Sequence, residues 1–252
     1  MGESLRIFEV DSLICRRVAF VWPYERVNAS AIRSHWITRS RQTPSIFDGR
    51  VLLANHVETK KDRDVSSLRL EVFETSFSAF LAWRDTGWPD RAVFNFFSMP
   101  AIRSCDGCFL VGEMTKDHSS AGALFFPGGT PDPSDVDSTG HVDLLGSLTR
   151  ELTEETGLDA YRGQLRPRWT IIIDGQRIAC IRTIDWPETG EFLVVEARRR
   201  IAAQSSPELA DVHLFNAPSE LSDPRLPPYM TAFLARALGH AEESCSRRPR
   251  ED

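Results

Sequence analysis

Long apolar runs are missing from this sequence: no stretch approaches the roughly 20 residues that a helix needs to cross a bilayer. Cysteine is scarce, with five residues in 252 (Cys15, Cys105, Cys108, Cys180 and Cys245). That odd, low count gives no disulfide framework. The N-terminus, MGESLRIFEVDSLICRR, lacks a basic segment followed by an apolar one, so no secretory leader is expected and a reducing cytoplasm is. Asn28-Ala29-Ser30 matches the glycosylation sequon, but without secretion Asn28 reads as a helix N-cap. Positive charge is in short supply, since 30 Lys and Arg face 36 Asp and Glu, a net −6. No basic stripe runs through any element, which disfavours nucleic-acid binding. A negative chain that handles phosphates must bring in local positive charge, and a metal ion is the simplest source.

What is present is the composition of a soluble globular protein, 41% hydrophobic and 26% charged, long enough for one large domain or two small ones. Residues 6–21 read as one or two strands, 29–42 as a helix, VLLANHVE and LRLEVFE as strands separated by a polar stretch, and 75–84 as a short helix. A second unit begins near Arg91. AVFNFFSMPAIRSC and CFLVGEM flank Asp106-Gly107, and WTIIID and RIACIRTID flank Asp174-Gly175, two hairpin signals. Helices are expected over 143–156, 190–204 and 228–238, with a strand at DVHLF and a helix stop at Gly239. Mixed hairpins and helices indicate an α/β or α+β sandwich.

Chemistry concentrates in residues 126–158, FPGGTPDPSDVDSTGHVDLLGSLTRELTEETGL. Asp143 can cap the helix and Gly157 can end it in a left-handed conformation. At 100° per residue, Glu155 lies ~40° to one side of Glu151 and Glu154 ~60° to the other. Leu148, Leu152 and Leu145 follow at about 60°, 100° and 120°, so the acidic arc begins where the buried stripe begins. Two like charges about 4 Å apart repel by about 4 kcal/mol at an effective dielectric of about 20. Arg150 offsets part of this, and a divalent cation would offset the rest. Hard oxygen ligands at this density suit Mg²⁺ or Mn²⁺. Gly128-Gly129 let the backbone turn sharply and approach closely, so a carbonyl there can join the carboxylates.

These residues resemble the Nudix signature: a glycine, five residues, a glutamate, seven residues, then Arg-Glu-apolar-x-Glu-Glu-x-Gly-apolar. The second half is complete in Arg150, Glu151, Leu152, Glu154, Glu155, Gly157 and Leu158. The first half departs. Counted from Gly129 the distal acid is Asp135; counted back from Arg150 the position is Val142, one step from Asp143. The loop thus carries a seven-residue insertion, and Asp135 is preferred because it keeps the glycine spacing while Asp143 has a capping role. The inserted loop also resembles the UDP-sugar-hydrolysing branch, and no coenzyme A or NADH motif is visible.

The resemblance implies a Nudix α/β/α sandwich with a mixed sheet over residues 93–239. An N-terminal α+β region (1–92) would shape the substrate pocket or a homodimer contact, and a polar tail (240–252) would follow. It implies a Mg²⁺- or Mn²⁺-dependent hydrolase of a nucleoside-diphosphate-linked small molecule, a nucleotide sugar leading, with neither nucleic acid nor membrane as partner. The alternative is a Nudix-fold binding or regulatory protein with reduced turnover. Glu151, Glu154 and Glu155 would bind metal with the Gly128 carbonyl and Asp135, and Arg150 would orient the glutamates. Gly129 and His141 would meet the substrate, and Glu208 or Asp211 would serve as base. Bland readings hold elsewhere. Cys105-x-x-Cys108 is structural, Trp22, Trp36, Trp83 and Trp88 fill core, and Arg198-Arg199-Arg200 is a solvated helix face.

Overall fold

A computed structural model describes residues 5–246, with side chains described as far as Gly239. Among the described residues ten strands and six α-helices follow one another in a mixed order. The large sheet has seven strands, β1 (Arg6–Val10), β8 (Gln164–Asp174), β9 (Arg177–Asp185), β5 (Asn95–Arg103), β6 (Phe109–Met114) and β10 (Leu209–Phe215) in that spatial order, with the short β7 (Leu124–Phe125) beside β6. β5 and β9 run parallel and the other neighbours antiparallel, so the sheet is mixed. β2 (Ser12–Arg17), β4 (Val65–Ser76) and β3 (Arg50–Asp62) form a separate three-stranded sheet.

The two-residue period of a strand sorts the core onto two faces. Ile178, Cys180 and Ile184 of β9 share one apolar cluster with Leu148 and Leu152 of α4 (Leu144–Thr156) and Leu193 and Ala197 of α5 (Gly190–Ile201). Ala179 and Ile181 face the other way, onto Met230, Phe233 and Leu234 of α6 (Pro228–Ser246). The result is the α/β/α sandwich expected from the resemblance. Leu52, Leu68 and Leu70 of the small sheet enter the α4–α5 side of the core. The opposite face of that sheet is covered by a third cluster, which joins α2 (Ala29–Gln42) to α3 (Phe77–Asp85). Helix α1 (Pro23–Val27) precedes them, with Trp22 stacked edge-on against Trp83 at 5.5 Å, in keeping with a core role for these tryptophans.

Several local expectations are corrected. Strand β1 falls within residues 1–92 yet belongs to the large sheet, paired with β8 from Arg6↔Ile173 to Val10↔Trp169. Asn28 occupies the N-cap position of α2 as expected, but its side chain makes no capping bond; the amide donates to the Tyr24 carbonyl instead. The polar stretch 59–67 is mostly strand, because β3 and β4 continue pairing out to Asp62↔Val65. The Asp106-Gly107 turn is longer than a two-residue hairpin: Gly107 N–H bonds to the Ser104 carbonyl and Ser104 N–H to that of Cys108. Helix α6 passes Gly239 and ends at Ser246, and residues 247–252 of the expected tail lie outside the described residues. Leu145, placed on the buried stripe of α4 by angle, is exposed, while its neighbours Leu144 and Ser147 are buried in its place. Among the described residues no helix is long and apolar enough to cross a membrane.

One feature of the sheet positions the site. β5 pairs along its whole length with β9, but with β6 only at Arg103↔Phe109. Pro100, which has no N–H to give, is tolerated in this central strand because a full ladder exists on one side only. The Phe126-Pro127-Gly128-Gly129 turn occupies the other side, with Gly129 bridged to Ser98.

Candidate active site

The glycine turn and the acidic helix meet across the gap beside β5. Gly128 has φ 151°, and a Cβ there would lie 2.3 Å from the Ser98 carbonyl oxygen, so only glycine fits against the strand. Its N–H donates to Oε1 of Glu155 at 2.8 Å. Gly129 lies against Glu151, where an added Cβ would come to 3.5 Å from the carboxylate.

Helix α4 is built as its sequence indicates. The Asp143 side chain accepts from Gly146 N–H at 2.9 Å, and Gly157 closes the helix at φ 71°. Leu148 and Leu152 are fully buried, each worth about 1.5–3 kcal/mol. That gain holds in place a helix whose next turn carries charge into the interior. The three glutamates form a gradient of exposure: Glu154 63%, Glu151 22%, Glu155 3%. This order follows their angles from the buried stripe.

Burial without a cation is unfavourable for the charged form, and the site shows it. Desolvation pushes the Glu155 carboxyl well above the ordinary glutamate range despite the Gly128 N–H, and the charges of Glu208, Glu151 and Glu154 add to the rise. Glu151 is raised to about 7, chiefly by burial, with Arg150 opposing and Glu154, Glu208 and Asp135 reinforcing. Glu208 is raised by burial and by Glu154. Oε2 of Glu155 is closed off from solvent and has no hydrogen-bond partner. Buried polar atoms without partners are rare, and a hard anionic oxygen in this state fits a divalent cation. Among the described residues, however, no three His, Cys, Asp or Glu side chains are already gathered into a metal-holding cluster. Glu154 lies in solvent.

Asp135 is held by hydrogen bonds at both of its carboxylate oxygens. Its side chain is 2% exposed; Oδ1 accepts from Arg150 at 2.8 Å and Oδ2 from the Asp132 N–H at 3.0 Å, so both oxygens are in use. Arg150, anchored there, reaches Glu151 at 3.5 Å and Glu154 at 4.0 Å. The inserted loop makes this possible. Its far side adds to the edge of β2, with Arg17 N–H on the Gly140 carbonyl and Val142 N–H on that of Cys15, while the Asp135 carbonyl accepts from Asp143 N–H. The N-terminal sheet thus holds the loop that holds Asp135.

The remaining expected site residues divide. Glu208 precedes β10, with its carbonyl accepting from Thr115 N–H at 2.9 Å; its charge acts on Glu151 and Glu155, and that of Glu154 acts on it. Asp211 is committed elsewhere, in a fork with Arg198 at 2.7 and 3.0 Å. Burial alone would raise its pKa, but Arg198 and the Val212 N–H bring it below the ordinary value. His141 is exposed, with Nδ1 on the Thr139 hydroxyl and its backbone bridged to Arg16. Its contacts lie within its own loop and on β2 rather than on the acidic turn.

Two supports escaped sequence reasoning. Gln204 donates to the Glu154 carbonyl at 2.8 Å, and Arg200 donates to that of Gly157, so residues at the end of α5 satisfy the last carbonyls of α4. Arg200 is therefore more than part of a solvated face. A cavity of about 320 Å³ lined by Thr149, Arg150, Thr153, Glu154, Asp159, Ala160 and Tyr161 borders the acidic turn. A second cavity, of about 540 Å³, involves none of the three helix glutamates.

No protein-family model and no curated protein matches the chain. Solved structures similar to it include a MutT protein from Methanosarcina mazei Go1, at 17% identity and TM-score 0.39 over 62% of this chain and 96% of that one. A C. elegans Ap4A hydrolase is similar at 14% identity and TM-score 0.39, over 59% and 98% of the two chains. A Nudix hydrolase from Nitrosomonas europaea gives 15% and 0.38, over 59% and 90%. Solved structures of Nudix hydrolases are thus among those the chain resembles. At such identities and scores no activity transfers from them, and the functional reading rests on the chain's own residues.

Proposed function

We propose that the chain hydrolyses the diphosphate of a nucleoside-diphosphate-linked small molecule, a nucleotide sugar leading, with Mg²⁺ or Mn²⁺ held by Glu151, Glu154, Glu155 and the Gly128 carbonyl. The observation that carries the reading is Glu155: a buried carboxylate with one oxygen fixed by Gly128 N–H and the other without a partner, on a turn with two further glutamates. When bound, the cation would supply positive charge for the diphosphate and lower the pKa of water.

The protein's own contribution is positional. The glycine turn lets a phosphate approach the backbone without a Cβ in the way. Arg150, braced by buried Asp135, orients Glu151 and Glu154; we assign Asp135 this positioning role in preference to a ligand's. We assign Glu208, raised in pKa by burial and by Glu154, as the group that accepts the proton of the attacking water at its carboxylate.

The test is an assay of purified protein with Mg²⁺ or Mn²⁺ against nucleotide sugars, dinucleotides and nucleoside triphosphates. Monophosphate release by the wild type, lost in Glu155→Gln, supports the reading. Tight nucleotide binding without product in any mixture overturns it in favour of a binding protein. Products that take no oxygen from labelled water would point to an isomerase or transferase instead.

A further inference from the structure

The 540 Å³ cavity opens where the ends of three strands come together. Arg103, Ser104 and Cys105 line it from the end of β5 and the turn beyond, Arg162 from the segment before β8, and Asp185 and Trp186 from the end of β9. Its volume falls in the range of small-molecule sites, about 300–1,000 Å³.

Two features of the lining ask for an acceptor. Trp186 is 2% exposed, and its indole N–H has no partner. The Nε–H of Arg103 is equally closed off from solvent and equally without one. The two residues are neighbours, Trp186 N–H donating to the Arg103 carbonyl at 2.7 Å. An unmade hydrogen bond from a buried donor costs free energy that a bound acceptor recovers.

Charge points the same way. Arg162 is paired with Glu188, and Asp185 accepts from Arg166 at 2.6 Å. Asp106 in the adjoining turn accepts from the Ser104 hydroxyl and from Gly190 N–H. Among the described residues Arg103 is the basic residue of the lining that makes no ion pair, although Oε2 of Glu188, the partner of Arg162, is also buried without a hydrogen bond.

We infer that this cavity binds a small oxyanion, the carboxylate or phosphate group of a metabolite-sized ligand, held by the Arg103 guanidinium and the Trp186 indole N–H. A planar guanidinium fork suits either group, and the indole ring offers an apolar wall to the remainder of the ligand. The site uses no residue of the acidic turn and does not depend on the hydrolase reading.

The experiment follows indole and arginine Nε–H resonances of ¹⁵N-labelled full-length protein in EDTA, titrated separately with inorganic phosphate and with acetate. Trp186 is identified by its loss in Trp186→Phe and Arg103 by Arg103→Gln. The expected result is that both resonances move along one saturating curve. Binding should weaken about tenfold or more, 1.4 kcal/mol or above, in Arg103→Gln and stay unchanged in Glu155→Gln. Trp186→Phe, which keeps the ring and removes the donor, should weaken the curve read at Arg103. Response to phosphate alone, to acetate alone, or to both assigns the ligand group. Flat titrations with both anions, or an unaltered curve in a folded Arg103→Gln, overturn the inference.

Discussion

The backbone N–H of Gly128 and the carboxylate of Glu155, 27 residues apart, meet at 2.8 Å. That bond ties the glycine turn to the acidic helix and leaves the second oxygen of Glu155 unpartnered in the interior. A carboxylate in that state destabilises the cation-free protein, so Glu155→Gln should remove activity by at least about a hundredfold while leaving cation-free stability equal or higher. Glu154→Gln, at an exposed position, should leave stability within about 0.5 kcal/mol. Urea unfolding in EDTA alongside the hydrolysis assay checks both; marked destabilisation by Glu155→Gln would count against the buried-charge account.

Stability of the cation-free protein should fall as pH rises from about 4.5 to 7. Glu151 is raised from 4.5 to about 7 and Glu155 is raised further. The folded state therefore holds protons that the unfolded chain releases. This stability is fully present below the unfolded pKa and is lost as pH climbs through the folded one. Mg²⁺ or Mn²⁺ should reverse the trend, raising Tm most at the alkaline end. Thermal unfolding across that range, with and without cation, is the measurement, and a flat cation-free profile would contradict it.

Asp135→Asn and Arg150→Met separate positioning from ligation. Asp135→Asn keeps an acceptor for Arg150, so Mn²⁺ affinity by calorimetry should stay within a few-fold, whereas Glu155→Gln should lose it. Arg150→Met leaves the buried Asp135 Oδ1 unpaired and should cost about 1–3 kcal/mol. Loss of Mn²⁺ binding in Asp135→Asn equal to that in Glu155→Gln would restore Asp135 to the ligand set.

The two glycines should respond differently to alanine. In Gly128→Ala the Cβ meets the Ser98 carbonyl at 2.3 Å in a left-handed backbone, and a loss of about 3 kcal/mol or more is expected. In Gly129→Ala the contact with the Glu151 carboxylate is ordinary at 3.5 Å, so the fold should persist while turnover falls. Denaturant midpoints for both variants, with kcat for the second, decide it.

Glu208→Gln should depress kcat and alter the ascending limb of its pH profile, because the raised Glu208 carboxyl is the proposed proton acceptor. Asp211→Asn should leave the profile unchanged, since that carboxylate is spent on Arg198. The reverse pattern would exchange their roles.

The sequence by itself determined helix α4, its cap at Asp143, its left-handed end at Gly157, and the order in which its glutamates sink into the protein. Those features obey local rules, hydrogen bonding within a few residues and an angular period of 3.6, so they are legible without any partner. Strand and helix periods also indicated an α/β or α+β sandwich, while the α/β/α arrangement with a mixed sheet followed from the resemblance to the Nudix signature. Only the tertiary structure decided what the distal acid touches, which late carboxylate interacts with the helix glutamates, and how β1 joins the large sheet. Asp135 and Asp143 look alike along the chain. They part because the inserted loop adds to the edge of β2 and presses one of them against Arg150. Glu208 and Asp211 part because a helix-borne Arg198 happens to reach the second. Such outcomes depend on contacts between segments far apart in sequence, and no spacing within either segment encodes them.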